Sequence, residues 1–224
     1  MSIPCLSLLA GASEEEVLNL LNHTTDQAII ASIARHTENA TVRLTAICRL
    51  TSQPALVELA YSEKESYLRC KAISKIEIQP ILLDIAENAD DPRDRLEALI
   101  YLKKCDGHQA LCTRLALEDP DDHVREHAVI GLKRGGENLL VFEEIVRHDK
   151  ADSVRRWAVR KMGRGYFLDE AARRDESPRV RYAAVRKLTS CRLLIKIATT
   201  DHAFSVRRAA LRRLAHLARH GKHC

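Results

Sequence analysis

Seven arginines, Arg43, Arg69, Arg95, Arg125, Arg155, Arg181 and Arg207, open copies of one short phrase, and their spacing leaves the chain few folds to choose from. The steps between them are 26, 26, 30, 30, 26 and 26 residues. Three residues after each stands an alanine: Ala46, Ala72, Ala98, Ala128, Ala158, Ala184 and Ala210. Four residues after come Ile47, Ile73, Leu99, Val129, Val159, Val185 and Leu211, and seven after come Leu50, Ile76, Leu102, Leu132, Met162, Leu188 and Leu214. Apolar residues three, four and seven places on make one face of a helix. A period of this length marks a helical repeat, in which each unit buries its apolar face only by stacking on its neighbours.

A first helix precedes each phrase. Nine residues before the arginines lie Ala34, Ala60, Ala86, Ala116, Val146, Ala172 and Ala198. The two longer units carry their extra residues between helices, at CDGHQ (105–109) and RGGEN (134–138), where insertion leaves both buried faces in register. Asp91-Pro92 and Ser177-Pro178 place a capping side chain before a proline at the first helical position. Extending the alignment backwards predicts an eighth, degenerate unit with Val17, Leu20 and Leu21 on its first helix. The expectation is all-α: a right-handed α-solenoid of about eight short helix pairs, forming one domain over 12–219 between tails at 1–11 and 220–224. Few aromatics (4%), 8 Gly and 6 Pro suit helices better than strands.

The pattern D-x-x-x-x-V-R-x-x-A-V-x-x-L resembles the HEAT-like repeat in its short bacterial form. In that family the Asp and Arg make a ladder of charge-assisted bonds between successive repeats. The resemblance implies rungs at Asp119 and Arg125, Asp149 and Arg155, Asp175 and Arg181, and Asp201 and Arg207. Arginine suits the task because its planar fork binds two acceptors at once. Thr37 and Ala89 break the acidic position, with Glu38 and Asp90 one place along. The resemblance also implies that the helices beginning V-R line a concave groove.

Offsets two, five and six from each arginine then face that groove. In the last three units, offsets five and six read Arg160-Lys161, Arg186-Lys187 and Arg212-Arg213, with Arg156 and Arg208 at offset one. Residues 150–224 hold 20 Lys+Arg against 6 Asp+Glu, a balance of +14, whereas residues 1–149 hold 16 against 25, a balance of −9. Such asymmetry bears on partners, not on fold. Trp157 shares the surface and is placed to stack on a base or to anchor a partner side chain.

Enzyme chemistry is hard to find. Alkylpurine DNA glycosylases built on such repeats use a groove Asp; here the nearest acids on second helices are Glu97 and Glu126. Two sets have ligand types suited to metal, Cys105, His108 and Cys112 in one loop and His216, His220, His223 and Cys224 in the tail, but neither defines a complete site. No metal, cofactor or catalytic residue is assigned. Seven cysteines with no C-x-x-C point to reduced thiols and a cytoplasmic location. No apolar run is long enough to span a bilayer and no basic leader precedes SIPCLSLLAG.

The expected function is therefore a non-enzymatic binding scaffold whose basic C-terminal groove engages an acidic segment of a protein. The alternative is a nucleic-acid ligand, including a glycosylase-like role in DNA repair. The opposite charges of the two halves also allow head-to-tail association of copies.

Overall fold

The computed structural model describes residues 12–103, 107–163 and 165–219. Cys105, His220, His223, Cys224 and both proposed tails lie outside them. Among the described residues there are helices and no strands, and contacts gather into two bodies, 1–108 and 109–224.

In the first body, α1 (Glu14–His23) precedes three helix pairs: α2 (Gln27–His36) with α3 (Ala40–Arg49), α4 (Gln53–Ser62) with α5 (Ser66–Ile73), and α6 (Gln79–Asn88) with α7 (Pro92–Tyr101). The second holds α8 (His108–Glu118), α9 (Asp122–Gly131), α10 (Leu139–His148), α11 (Asp152–Lys161), α12 (Tyr166–Arg174), α13 (Pro178–Val185), α14 (Cys191–Thr200) and α15 (Phe204–Arg219). Here α10 packs on α11, α12 on α13 and α14 on α15. Successive second helices touch one another, α3 to α5 to α7 in one body and α9 to α11 to α13 to α15 in the other. Each body is thus a segment of all-α solenoid.

Several expectations shift in detail. The segment holding Val17, Leu20 and Leu21 packs against α3, the relation that second helices bear to each other, so it is not a first helix. Val17 and Leu21 are buried, but Leu20 is exposed. All seven offset-three alanines are fully buried, where a larger side chain would hold neighbouring helices apart. In four units offset seven lies past the helix: Leu50, Leu102, Leu132 and Met162 are extended C-caps whose side chains turn back into the core. Leu211 is 57% exposed, because no further pair follows among the described residues to cover offset four. In the RGGEN turn, Gly135 has φ +114°, which a side chain would strain.

Helix starts follow the caps. Asp91 accepts from the Arg93 N–H at 2.9 Å and Ser177 from the Arg179 N–H at 3.3 Å, each followed by its proline.

The repeating arginines hold units together, though through other bonds than those the resemblance implied. Within a unit, the Nη1 group donates to backbone carbonyls at the end of the first helix, as Arg155 does to Asp149 and Lys150 at 2.8 and 3.1 Å. The carboxylate at the next unit's acidic position takes the other side of the fork. Arg125 binds Asp149 at 2.7 and 3.0 Å, Arg155 binds Asp175 at 2.9 and 3.0 Å, and Arg181 binds Asp201 at 2.8 and 3.0 Å. Arg43 binds Glu63 in the same way. Arg207 keeps the carbonyl half, donating to Asp201 and His202, and makes no ion pair among the described residues. Asp119 accepts the Asp121 N–H, the turn-closing bond that Asp149, Asp175 and Asp201 also make. Thr37 needs no acid, since the position one repeat before Arg43 is Val17. Where Ala89 lacks one, Arg69 turns to Asp91 at 2.7 Å and Asp94 at 2.6 Å, not to Asp90.

That substitute rung has its own electrostatics. Burial pushes the Asp94 carboxyl above its ordinary pKa, and the bond from Arg69 does not fully offset it. At Asp201 burial also pushes upward, but Arg181 and the Ala203 N–H outweigh it and leave the pKa below the ordinary value. Asp201 therefore contributes stability that is present above the unfolded value of about 4 and is lost as pH falls through its lower folded value. Asp94 costs stability near neutrality, and that cost fades as pH falls through its raised value. Carboxyl-carbon NMR titration should find the Asp94 midpoint above that of Asp201; the reverse order would contradict this account.

One repeating signal escapes a search for apolar faces. Gln27, Gln53, Gln79 and Gln109 stand sixteen residues before their arginines, and each side chain accepts a backbone N–H just beyond the second helix. The donors are Thr51, Glu77, Lys103 and Lys133, at 2.7, 2.8, 2.6 and 2.9 Å. Leu139, Gly165 and Cys191 replace this clamp in the later units. Cys191 is disulfide-bonded, against the expectation of reduced thiols throughout, while Cys48 and Cys70 are free.

Candidate anion-binding site

The row of basic residues divides by what each cation touches. Offset six turns inward. Lys161 donates to the carbonyls of Ile130 and Leu132 at 2.5 and 2.7 Å, at the C-terminal end of the preceding second helix. Lys187 repeats the contact one unit on, with the carbonyls of Val159, Arg160 and Met162, and Arg213 donates to the Leu188 carbonyl at 2.8 Å. Lys75 and Arg49 do the same in the first body, toward Cys48 and Thr24. A cation at a helix C-terminus meets orphan carbonyls and the negative end of the helix dipole, so these five are structural caps. Burial lowers the Lys187 pKa, and the charge of Arg134 lowers it further.

Offset five turns outward. Arg160 and Arg186, together with Arg134, Arg156, Arg179 and Lys187, line a cavity of about 670 Å3 in the second body. Two helix stripes face it: Arg156 and Arg160 of α11, four residues apart, and Arg179 and Tyr182 of α13 with Arg186 at its C-cap, at spacings of three and four. Pro178, Ala183 and Ser205 complete the wall, and no carboxylate among the described residues lines it. Among the described residues none of these five arginines makes an ion pair. The Arg156 Nε atom is buried and has no hydrogen-bond acceptor. Such a cavity favours an anion by field and by donor geometry together.

Sequence spacing had marked Arg156, Arg160, Arg186 and Lys187 but not Arg179 or Arg134. Arg179 lies seven residues before Arg186 and so on its stripe, a signal present in the sequence. Arg134 belongs to the RGGEN turn, where no periodicity exists to mark it. Arg208 and Arg212 are exposed and do not line the cavity.

Trp157 is held in place by its own chain. Its indole N–H donates to Glu126 at 2.7 Å, and the Arg160 guanidinium lies 4.1 Å from the ring centroid. A carboxylate therefore stands beside the tryptophan, engaged by it. Of the proposed metal ligands, His108 and Cys112 are buried, and burial pushes the Cys112 thiol up to about 11. Among the described residues no three His, Cys, Asp or Glu side chains gather as a metal would require, and no helix is long and apolar enough to cross a membrane.

No curated protein matches the sequence. The family model for HEAT repeats matches residues 80–163, a stretch that takes in α7, α8, α9, α10 and α11. Short helix pairs continue on either side of it, so the chain has a HEAT-like repeat architecture, of the kind that commonly serves as a protein-interaction scaffold.

Proposed function

We propose that the protein is a non-enzymatic scaffold whose second-body cavity engages an acidic segment of a partner protein. The observation that carries this reading is the lining itself: among the described residues, six cations, no carboxylate, and five arginines with no ion pair. Unpaired guanidinium groups facing one space repel each other, and an entering anion relieves that repulsion while meeting ready donors. The HEAT-like architecture supports a protein as the ligand. So does Trp157, whose N–H and one ring face are already engaged and which offers little as a platform for bases.

The test is fluorescence anisotropy with a labelled twelve-residue glutamate-rich peptide and a labelled 20-nucleotide single strand, each across a salt series. The double variant Arg160→Glu/Arg186→Glu should weaken peptide binding at least about tenfold, since it sets like charges against the ligand. A strand that binds far more tightly than the peptide, with affinity falling steeply in salt, would replace this reading by the nucleic-acid one.

A further inference from the structure

We infer that the acidic segment taken by the cavity carries a phosphorylated side chain, held between Arg156 and Arg160 of α11 and Arg179 of α13 and Arg186 at its C-cap. This rests on the anion-binding reading above and narrows its ligand. The lining offers more than a carboxylate uses. One carboxylate brings a single charge and two oxygens, whereas a phosphoryl group brings nearly two charges and three strong acceptor oxygens. Four guanidinium groups and the Tyr182 side chain face the same space without a carboxylate among them. The buried Arg156 Nε is the sharpest sign. In Arg43, Arg69, Arg125, Arg155 and Arg181 the Nε donates to a carboxylate, and in Arg213 to a carbonyl. Among the described residues Arg156 is the one arginine whose buried Nε has no acceptor. A buried donor left unpaired is costly, and a shift of the Arg156 side chain toward a bound phosphoryl group would give it one.

The source of the phosphoryl group follows from the surroundings. A nucleic-acid backbone needs a run of free cations, and here the run is interrupted. Lys161, Lys187 and Arg213 are engaged with helix carbonyls. The Glu126 carboxylate beside Trp157 would also face a passing backbone with like charge. A single phosphorylated residue needs only the one cavity, and Pro178, Ala183 and Ser205 leave small, uncharged walls for its flanking peptide. Phosphorylation of the partner then acts as the switch for docking.

The full chain is titrated into fluorescein-labelled degenerate nonapeptide pools centred on phosphoserine, on glutamate or on serine, with anisotropy as readout. The phosphoserine pool should bind at least about tenfold more tightly than the glutamate pool, as a doubly charged, three-oxygen acceptor demands. Arg156→Lys keeps the charge but removes the Nε donor. It should cut that preference to about threefold or less without lowering the melting temperature, because the Arg156 side chain donates no hydrogen bond to a described residue. Equal binding of the phosphoserine and glutamate pools would overturn this inference and leave the acidic-segment reading standing. Binding of no pool would overturn both, and so would displacement of the phosphoserine pool by micromolar single-stranded DNA.

Discussion

Arg155→Ala is expected to destabilise the second body by about 3–5 kcal/mol, the range for breaking a buried ion pair by removing one partner. Arg155 is 5% exposed and makes five hydrogen bonds: two to Asp175, one to Glu176 and two to the carbonyls of Asp149 and Lys150. The truncation leaves the Asp175 side chain, itself 5% exposed, charged and facing a void. Loss of the Glu176 bond matters little, because that carboxylate is 84% exposed and water replaces the partner. With about 2–4 °C of melting temperature per kcal/mol for a chain of this size, the shift should be about 10 °C. Arg155→Ala with Asp175→Ala removes the orphan charge as well and should cost clearly less than the sum of the single changes. That double-mutant cycle isolates the rung. Arg155→Lys retains a charge but cannot fork between carboxylate and carbonyls, so it should fall between wild type and alanine. Chemical denaturation monitored by circular dichroism measures all four. A loss below about 1 kcal/mol for Arg155→Ala would mean that the ladder behaves as a solvated surface pair and does not join the units.

The ladder also shows where one-dimensional pattern stops. Ala158, Val159 and their counterparts are legible because a helix face is a local period, and burial in a stack follows from it directly. The arginine anchors are legible for the same reason, but their acceptors are not. Which acid meets Arg69 depends on how the next unit sits, and Asp91 and Asp94 serve although neither occupies the expected position. Similarly, Arg160 and Lys161 are adjacent cations of equal apparent standing in the sequence. Only the position of the preceding helix end shows that Lys161 is inside its carbonyl cage and that Arg160 faces outward. The sequence leaves Trp157 open to stacking; its tie to Glu126, thirty-one residues earlier, is again a contact between units.

The neighbouring pair Arg186 and Lys187 turns that distinction into an experiment with opposite readouts. Lys187→Glu should destabilise the second body by about 2–4 kcal/mol, through lost charge-assisted hydrogen bonds and a carboxylate placed at the negative end of a helix. Its ammonium donates to the carbonyls of Val159, Arg160 and Met162, at the end of α11 where the helix has no further donors. Lys187→Met removes the bonds without the repulsion and should cost about half as much, near 1–2 kcal/mol. Arg186→Glu carries the same change in net charge one residue earlier, yet the Arg186 side chain is exposed and donates to no acceptor among the described residues. Its melting temperature should stay within about 2 °C of wild type, as for a surface substitution, while peptide affinity falls at least about tenfold. Thermal denaturation and anisotropy on the three variants separate the roles: a stability loss confined to position 187 and an affinity loss at position 186 without one. Equal stability losses at both positions would mean that offset five is also part of the scaffold, and the cavity would then lose its claim to be a site held ready for an anion.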